Sequence, residues 1–178
     1  METYFDNKGN ILNSCIRSTR DKSALYTLKT TFGLRGRKLT VLLDENPAPG
    51  RSSHVASLNW KDKSFEILGQ RKTLSEVRRT QGGFFKKTRH WRWTADRKEY
   101  ELRYDDDEGW KATLNDNMSI GARFLVPGRP HLFGKLDPPA LHLTKTALEA
   151  DEIFLILVLI YSEIKRQDST VRNWSQSG

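Results

Sequence analysis

The chain has 178 residues, of which 30 are Lys or Arg and 22 are Asp or Glu, so its formal charge is +8 and its pI is near 9.7. This length is typical of one domain with a substantial core, and the basic balance favours an anionic partner such as a phospholipid surface or nucleic acid. The single cysteine, Cys15, excludes an internal disulfide framework. Because residues 1–20 also lack a signal pattern, a reducing, cytoplasmic location is predicted.

Short segments of alternating polar and apolar residues fill the chain from Thr3 to about Leu143, and turn residues separate them. This pattern is typical of an antiparallel sheet with one buried face. In the predicted hairpin of residues 55–68, Ala56, Leu58 and Trp60 share one face. The predicted strands cover residues 4–5, 24–30, 39–43, 55–60, 64–68, 90–93, 100–104, 110–114 and 119–126.

An unbroken apolar run from Ile153 to Tyr161 follows these strands. It is too short to cross a bilayer, which needs about 20 residues. Thr146 and Glu149 form a capping-box pattern ahead of it, and cations follow it, so a helix is predicted over about 146–167. A helix that is apolar on all sides must be enclosed by protein. Residues 1–167 are therefore expected to form one domain, and residues 168–178 a flexible polar tail.

This helix distinguishes between the two architectures that many short strands suggest, a sandwich and a barrel. A sandwich fills its interior with its own side chains, whereas a closed barrel of about twelve strands has a lumen that needs a filler. We therefore predict a mainly β fold, a closed antiparallel β-barrel around a buried hydrophobic C-terminal α-helix.

Several packing motifs carry a resemblance to a known family. They are residues 25–30, 55–60, the 89–104 hairpin with Trp93 and Tyr100, the helix entry at 151–153 and the helix segment 161–166. In these motifs the chain resembles the tubby C-terminal-like superfamily, which includes tubby proteins, phospholipid scramblases and plant LURP-one-related proteins, and within it an uncharacterised domain family of mushroom-forming fungi. The resemblance implies a twelve-stranded barrel around a central helix. Tubby proteins bind phosphoinositides, but the membrane helix and cysteine-rich segment of scramblases are absent here, so lipid movement is not expected.

The densest candidate site is the basic and aromatic stretch of residues 78–93. Two glycines permit a sharp turn and two phenylalanines lie near its tip, which suits insertion of rings among lipid headgroups while cations bind phosphates. The alternative, which is the commoner outcome for an isolated basic run, is that the phenylalanines pack on the sheet and the cations are solvated. The predicted headgroup-binding residues here are Arg78, Arg79, Phe84, Phe85, Lys86, Lys87, Arg89 and Arg92.

A second basic cluster, formed by Arg35, Arg37 and Lys38, precedes a strand. It extends the anionic footprint if the fold brings it near the first cluster, and is otherwise an ordinary basic turn. Nucleic-acid binding is an alternative, because Trp91 and Trp93 could stack bases, although tryptophans on one strand face more often point into the core.

Catalysis has the weakest support, because no spacing joins Cys15, His54, Glu66 and His142 into a catalytic set. The four histidines, His54, His90, His131 and His142, are expected at the surface or rim. The acidic run of residues 105–109 lacks EF-hand spacing and predicts a hairpin turn. No catalytic residue, metal site or cofactor is predicted. The predicted function is an intracellular binding or scaffold module, peripheral to a membrane and recognising anionic phospholipid; a nucleic-acid or protein interaction module and, third, a small-molecule enzyme are the alternatives.

Overall fold

The computed structural model describes residues 1–34, 36–82, 88–127 and 137–175. Among these residues, thirteen strands form one antiparallel sheet, and a long helix follows the last strand. The strands are β1 (Glu2–Phe5), β2 (Cys15–Ser18), β3 (Ala24–Gly33), β4 (Gly36–Asp44), β5 (His54–Asn59), β6 (Ser64–Ile67), β7 (Gln70–Thr73), β8 (Arg78–Gln81), β9 (Thr88–Trp91), β10 (Tyr100–Asp105), β11 (Gly109–Leu114), β12 (Ile120–Leu125) and β13 (Ala140–Leu143). The helices are α1 (Leu74–Val77) and α2 (Lys145–Ser175), and a 3-10 turn covers Ile11–Asn13.

The first and last strands of the chain, β1 and β13, lie side by side in the middle of the sheet. The two edge strands, β7 and β8, are consecutive in the middle of the sequence. The order of the sheet is β7-β6-β5-β4-β3-β2-β1-β13-β12-β11-β10-β9-β8. The one-turn helix α1 joins the two edges, and Thr73 and Glu76 form a capping box at its start. The prediction of a mainly β, antiparallel fold is confirmed. Within the described residues, however, no backbone ladder pairs β7 with β8, so hydrogen bonds do not close the sheet into a barrel.

The middle of α2 is buried on every side. Each residue from Phe154 to Ile164 is at most 5% exposed, and successive residues of a helix point in directions 100° apart, so no face of this segment meets solvent. The helix contacts β5 and β6 near one edge of the sheet and β11, β12 and β13 in its other half. The sheet therefore curves around the helix, and the prediction of a buried C-terminal helix is confirmed.

The ends of α2 differ from the prediction. The Leu148 amide donates to the Thr144 carbonyl at 3.0 Å, so Thr146 lies inside the first turn and is not its cap. Residues 168–175, which were expected to form a loose tail, continue the helix. The backbone leaves helical geometry at Asp151, where φ is −136°, so α2 contains a kink just before its buried stretch.

The predicted hairpins are present. Ala56, Leu58 and Trp60 are all buried on the inner face, as expected. The acidic run forms the tight turn between β10 and β11, where the Asp105 carboxylate accepts the backbone N–H groups of residues 107 and 108. Gly109 ends this turn with φ of +71°, and an added Cβ would lie 2.4 Å from the Phe124 carbonyl oxygen. Only glycine fits this backbone and this space.

Candidate functional site: a basic mouth where the helix leaves the sheet

Four aromatic rings cluster at the end of the buried stretch of α2. Tyr161 of the helix stacks on Trp60 with ring centroids 5.9 Å apart, and it meets the edges of Phe65 and Trp91 at 5.6 and 5.9 Å. Trp60 follows β5, Phe65 lies in β6 and Trp91 lies in β9. Side chains alternate between the two faces of a strand, so the inward-facing positions of these segments bring their rings against Tyr161. We call the group of Trp60, Phe65, Trp91 and Tyr161 the aromatic plug.

Cations lie directly against this plug. The Lys165 ammonium and the Arg37 guanidinium lie 5.8 and 5.5 Å from the Trp60 ring, and the Arg78 guanidinium lies 5.7 Å from the Trp91 ring. These separations are within cation–π range. We call the set of Arg37, Arg78, Arg89, Lys165 and Arg166 around the plug the basic mouth.

One open cavity of about 520 Å³ lies inside the basic mouth between β8 and β11. Arg78 pairs with Trp91 across the β8–β9 ladder, and Thr80 pairs with Arg89, so Arg78 and Arg89 are diagonal neighbours on the inner face. The cavity is lined by Arg78, Thr80, Arg89, Leu102, Tyr104 and Trp110.

The two arginines of this cavity are set apart from the other cations of the mouth by their lack of an ion pair within the described residues. Among the described residues, no carboxylate forms an ion pair with Arg78 or Arg89. Both arginines also act electrostatically on the aromatic plug. Burial raises the pKa of the Tyr161 hydroxyl, and the positive charges of Arg78 and Arg89 partly oppose this rise because they favour the phenolate. The cavity is therefore a place where a negative charge is electrostatically favoured.

A buried carboxylate anchors the helix beside this cavity. Glu163 is fully buried, and its oxygens accept hydrogen bonds from the Trp110 indole at 2.9 Å and from two nitrogens of Arg166 at 2.8 Å each. The Gln167 amide donates a further bond at 2.8 Å, and the Arg166 guanidinium lies 4.3 Å from the Tyr104 ring centroid. The charge of Arg166 is thus neutralised by Glu163, and the role of this ion pair is to stabilise the fold.

A second, wider groove of about 1090 Å³ lies between α2 and the β3–β4 hairpin. Arg37 donates to both oxygens of Asp168 at 2.9 and 3.1 Å, and Lys165 lies 3.8 Å from the same carboxylate. Lys38 and Lys61, which also line the groove, are exposed. The groove thus has an ion-paired, partly buried centre and a basic rim, and the rim lysines form no ion pair with any described residue.

The structure separates the predicted site residues. Arg78 and Arg89 face the 520 Å³ cavity, whereas Arg79 points to the outer face and forms an ion pair with Glu99 at 2.5 Å. Arg92 is exposed just after β9. Of the second cluster, Arg37 and Lys38 line the wider groove. Arg35, Phe84, Phe85, Lys86 and Lys87 lie outside the described residues.

Sequence reasoning missed several residues of the basic mouth and the aromatic residues beside them. Lys165 and Arg166 were interpreted as helix-end charges, yet α2 continues past them, and Trp60, Tyr104 and Tyr161 were treated only as core or strand residues. The sequence did contain a signal for this site, because Tyr161 lies one helical turn before the cations Lys165 and Arg166.

Two predictions about rings and histidines change. Trp91 and Trp93 are only 1% and 8% exposed, so neither ring is available for base stacking. His90 is buried, with its Nδ1 3.9 Å from a Glu99 oxygen, and its predicted surface position is wrong. His54 and His142 are exposed as expected, and His131 lies outside the described residues.

The opposite end of the buried stretch carries acidic groups. The Tyr100 hydroxyl donates to Asp151 and the Tyr26 hydroxyl donates to Glu152, each at 3.0 Å. Burial raises the pKa of both carboxyls, against the effect of these hydrogen bonds. Burial together with the neighbouring carboxylates also raises the pKa of both tyrosines. The two ends of the buried stretch of α2 thus differ in charge, acidic where it starts and basic where it leaves the sheet.

Comparisons with protein-family models, with curated proteins and with solved structures found no match. Across the described ranges, no helix is both long enough and apolar enough to span a membrane. In the same part of the chain, no group of three His, Cys, Asp or Glu side chains is placed to hold a metal ion.

Proposed function

We propose that this chain is a peripheral binding module for the phosphate-bearing headgroups of anionic phospholipids, phosphoinositides first, acting at a cytoplasmic membrane surface. The observation that carries the proposal is the pair Arg78 and Arg89, which line one cavity without a carboxylate partner among the described residues. Guanidinium groups bind phosphate oxygens through two parallel hydrogen bonds. A cavity of about 520 Å³ is also within the size range of small-ligand sites.

The energetics of the cavity favour an anion over an empty site. Diagonal neighbours on one sheet face have Cα atoms about 7–8 Å apart. Two like charges about 7–8 Å apart near a protein surface repel by roughly 2 kcal/mol with an effective dielectric constant of about 20, and solvent screening at the exposed Arg89 reduces this repulsion. A phosphate between the two guanidinium groups replaces this repulsion by attraction.

We also propose that the fold is a tubby-like barrel whose seam between β7 and β8 is closed by side chains. Support comes from Phe65 of β6, which meets Trp91 of β9 across the seam with ring centroids 6.1 Å apart. The short helix α1 spans the same two edges. An experimental structure with β7 and β8 separated and solvent reaching Trp91 would contradict this closure.

Vesicle co-sedimentation tests the headgroup proposal. Phosphatidylcholine vesicles with and without about 5% phosphatidylinositol bisphosphate are mixed with the wild type, with Arg78→Glu/Arg89→Glu, and with the control Arg20→Glu/Arg51→Glu. The control reverses the same number of charges at exposed loop positions. Each basic side chain near an anionic surface contributes about 1 kcal/mol, so we expect at least tenfold weaker binding for the cavity variant, less than threefold for the control, and weakening of the wild type by salt.

Three outcomes would contradict the proposal. Equal losses in both variants would mean that only net charge matters. No binding of the wild type to anionic vesicles at low ionic strength would remove the lipid partner. Binding of a labelled oligonucleotide that depends on Arg78 and Arg89, without vesicle binding, would instead assign the cavity to nucleic acid.

A further inference from the structure

The hairpin of β3 and β4 projects beyond both of its neighbours in the sheet. Pairing of β3 with β2 ends at Thr27, and pairing of β4 with β5 begins at Leu39. The two strands nevertheless continue to pair with each other as far as Gly33 and Gly36. The tip of this hairpin therefore extends past the sheet as a two-stranded ribbon on the side where α2 leaves it.

Two exposed side chains of this tip are large and apolar. Phe32 is 61% exposed and Leu34 is fully exposed. Val171 of α2 is 68% exposed and lines the same groove as Leu34. Burying a Phe or Leu side chain is favourable in proportion to the apolar area that it removes from water, so these exposed side chains would gain from apolar surroundings.

The charged residues near the tip indicate which kind of partner would cover its apolar side chains. Lys38 and Lys61 line the groove behind the tip and have no ion pair among the described residues. An apolar tip backed by lysines matches an anionic bilayer, because rings and aliphatic groups enter the interface while ammonium groups remain at the phosphates. A second copy of the chain would instead bring lysines against lysines.

We propose that the β3–β4 hairpin tip is a membrane-inserting element, in which Phe32 and Leu34 enter an anionic bilayer while Lys38 and Lys61 contact lipid phosphates. This inference rests on the proposed headgroup function and adds a second, apolar contact with the same membrane. It places insertion at residues 32–34, whereas the sequence favoured the phenylalanines of residues 84–85.

Two measurements on the full chain test the insertion. The first compares vesicle binding of Phe32→Ala/Leu34→Ala with that of Met118→Ala/Leu125→Ala, which removes exposed apolar side chains elsewhere. The second uses an environment-sensitive fluorophore on Leu34→Cys or, as a control, on Leu125→Cys. Both labelled proteins also carry Cys15→Ser, which is conservative because the half-buried Cys15 thiol lies 3.3 Å from the Thr27 hydroxyl and a serine retains that hydrogen bond.

We expect the hairpin variant to bind anionic vesicles at least tenfold more weakly and the control less than twofold. We also expect a blue shift of the label at residue 34, and none at residue 125, when anionic vesicles are added. Unchanged binding of Phe32→Ala/Leu34→Ala with a silent label, while Arg78→Glu/Arg89→Glu still loses binding, would overturn insertion and leave the headgroup function intact. A failure of the wild type to bind any anionic vesicle would overturn both. A concentration-dependent dimer in sedimentation velocity, abolished by Phe32→Ala/Leu34→Ala and accompanied by a silent label, would assign the tip to self-association instead.

Discussion

Replacing Arg166 by Met tests whether the buried carboxylate of α2 depends on its internal partner. Glu163 is fully buried, while the Arg166 side chain is 31% exposed. The substitution keeps most of the aliphatic volume but leaves Glu163 with only the Trp110 and Gln167 hydrogen bonds. Breaking a buried pair by removing one partner costs about 3–5 kcal/mol. Because Arg166 is partly exposed, we take the lower end, about 3 kcal/mol.

The matched control is the double variant Glu163→Gln/Arg166→Met. A glutamine retains an oxygen for the Trp110 indole and carries no charge, so it removes the buried, uncompensated carboxylate. The double variant should therefore be more stable than Arg166→Met alone, although it lacks one more native group. Such non-additivity, in which the second substitution offsets part of the loss from the first, is expected for residues in direct contact.

Urea unfolding followed by tryptophan fluorescence and circular dichroism measures these differences. A loss of about 3 kcal/mol corresponds to a decrease in Tm of about 6–12 °C for a chain of this size. An Arg166→Met protein within about 0.5 kcal/mol of the wild type would refute the anchoring role of Arg166. A double variant less stable than the single would show that the uncompensated charge is not the cause of the loss.

Three further predictions concern the fold. Leu157→Asp should prevent folding, because an unpaired charge in the apolar enclosure of α2 costs several kcal/mol, comparable to a domain stability of about 5–15 kcal/mol; a soluble, cooperatively unfolding Leu157→Asp protein would contradict the enclosed helix. Gly109→Ala should lower the free energy of unfolding by more than 1 kcal/mol, because its Cβ would clash with the Phe124 carbonyl at a positive φ, and an unchanged urea midpoint would count against this. Above pH 10 the folded chain retains the phenolic protons of Tyr26 and Tyr100, whose pKa values are raised, while the unfolded chain loses them; stability should therefore fall with rising pH by up to about 1.4 kcal/mol per pH unit for each tyrosine. Tyr26→Phe/Tyr100→Phe should flatten this decline, and an identical alkaline slope in the variant would exclude the assignment.

The parts of the fold that sequence predicts are those whose residues carry a periodic burial signal. The β5–β6 hairpin alternates apolar and polar residues, and the run from Ile153 to Tyr161 has no polar face, so both were predictable. The edge strands β7 and β8 were not. Their sequences, Gln70–Thr73 and Arg78–Gln81, are mostly polar, and they are strands because β6 and β9 pair with them.

The candidate site depends on convergence that no local pattern contains. Arg37 and Arg78 each lie on a tryptophan that contacts Tyr161, although they are far apart in sequence. Only the curvature of the sheet around α2 brings these positions together. Sequence identified Arg78 and Arg89 as cations of one basic loop, but not that they share the inner face of a β8–β9 hairpin while Arg79 lies on the other face, because that assignment requires the pairing register of β8 with β9.

The basic mouth contains two kinds of cation, and their partners distinguish their roles. Arg166 is neutralised by Glu163, and Arg37 and Lys165 share the single carboxylate of Asp168, so each has a structural reason to lie where it does. Arg78 and Arg89 have no such partner in the described part of the chain, and their register places like charges on one face of a two-strand ladder. A folded protein retains an arrangement that opposes its own stability mainly where function requires it. An anion bound between Arg78 and Arg89 would remove their repulsion, so ligand binding and stability should be linked at this pair, whereas the ion-paired cations of the mouth have nothing comparable to gain.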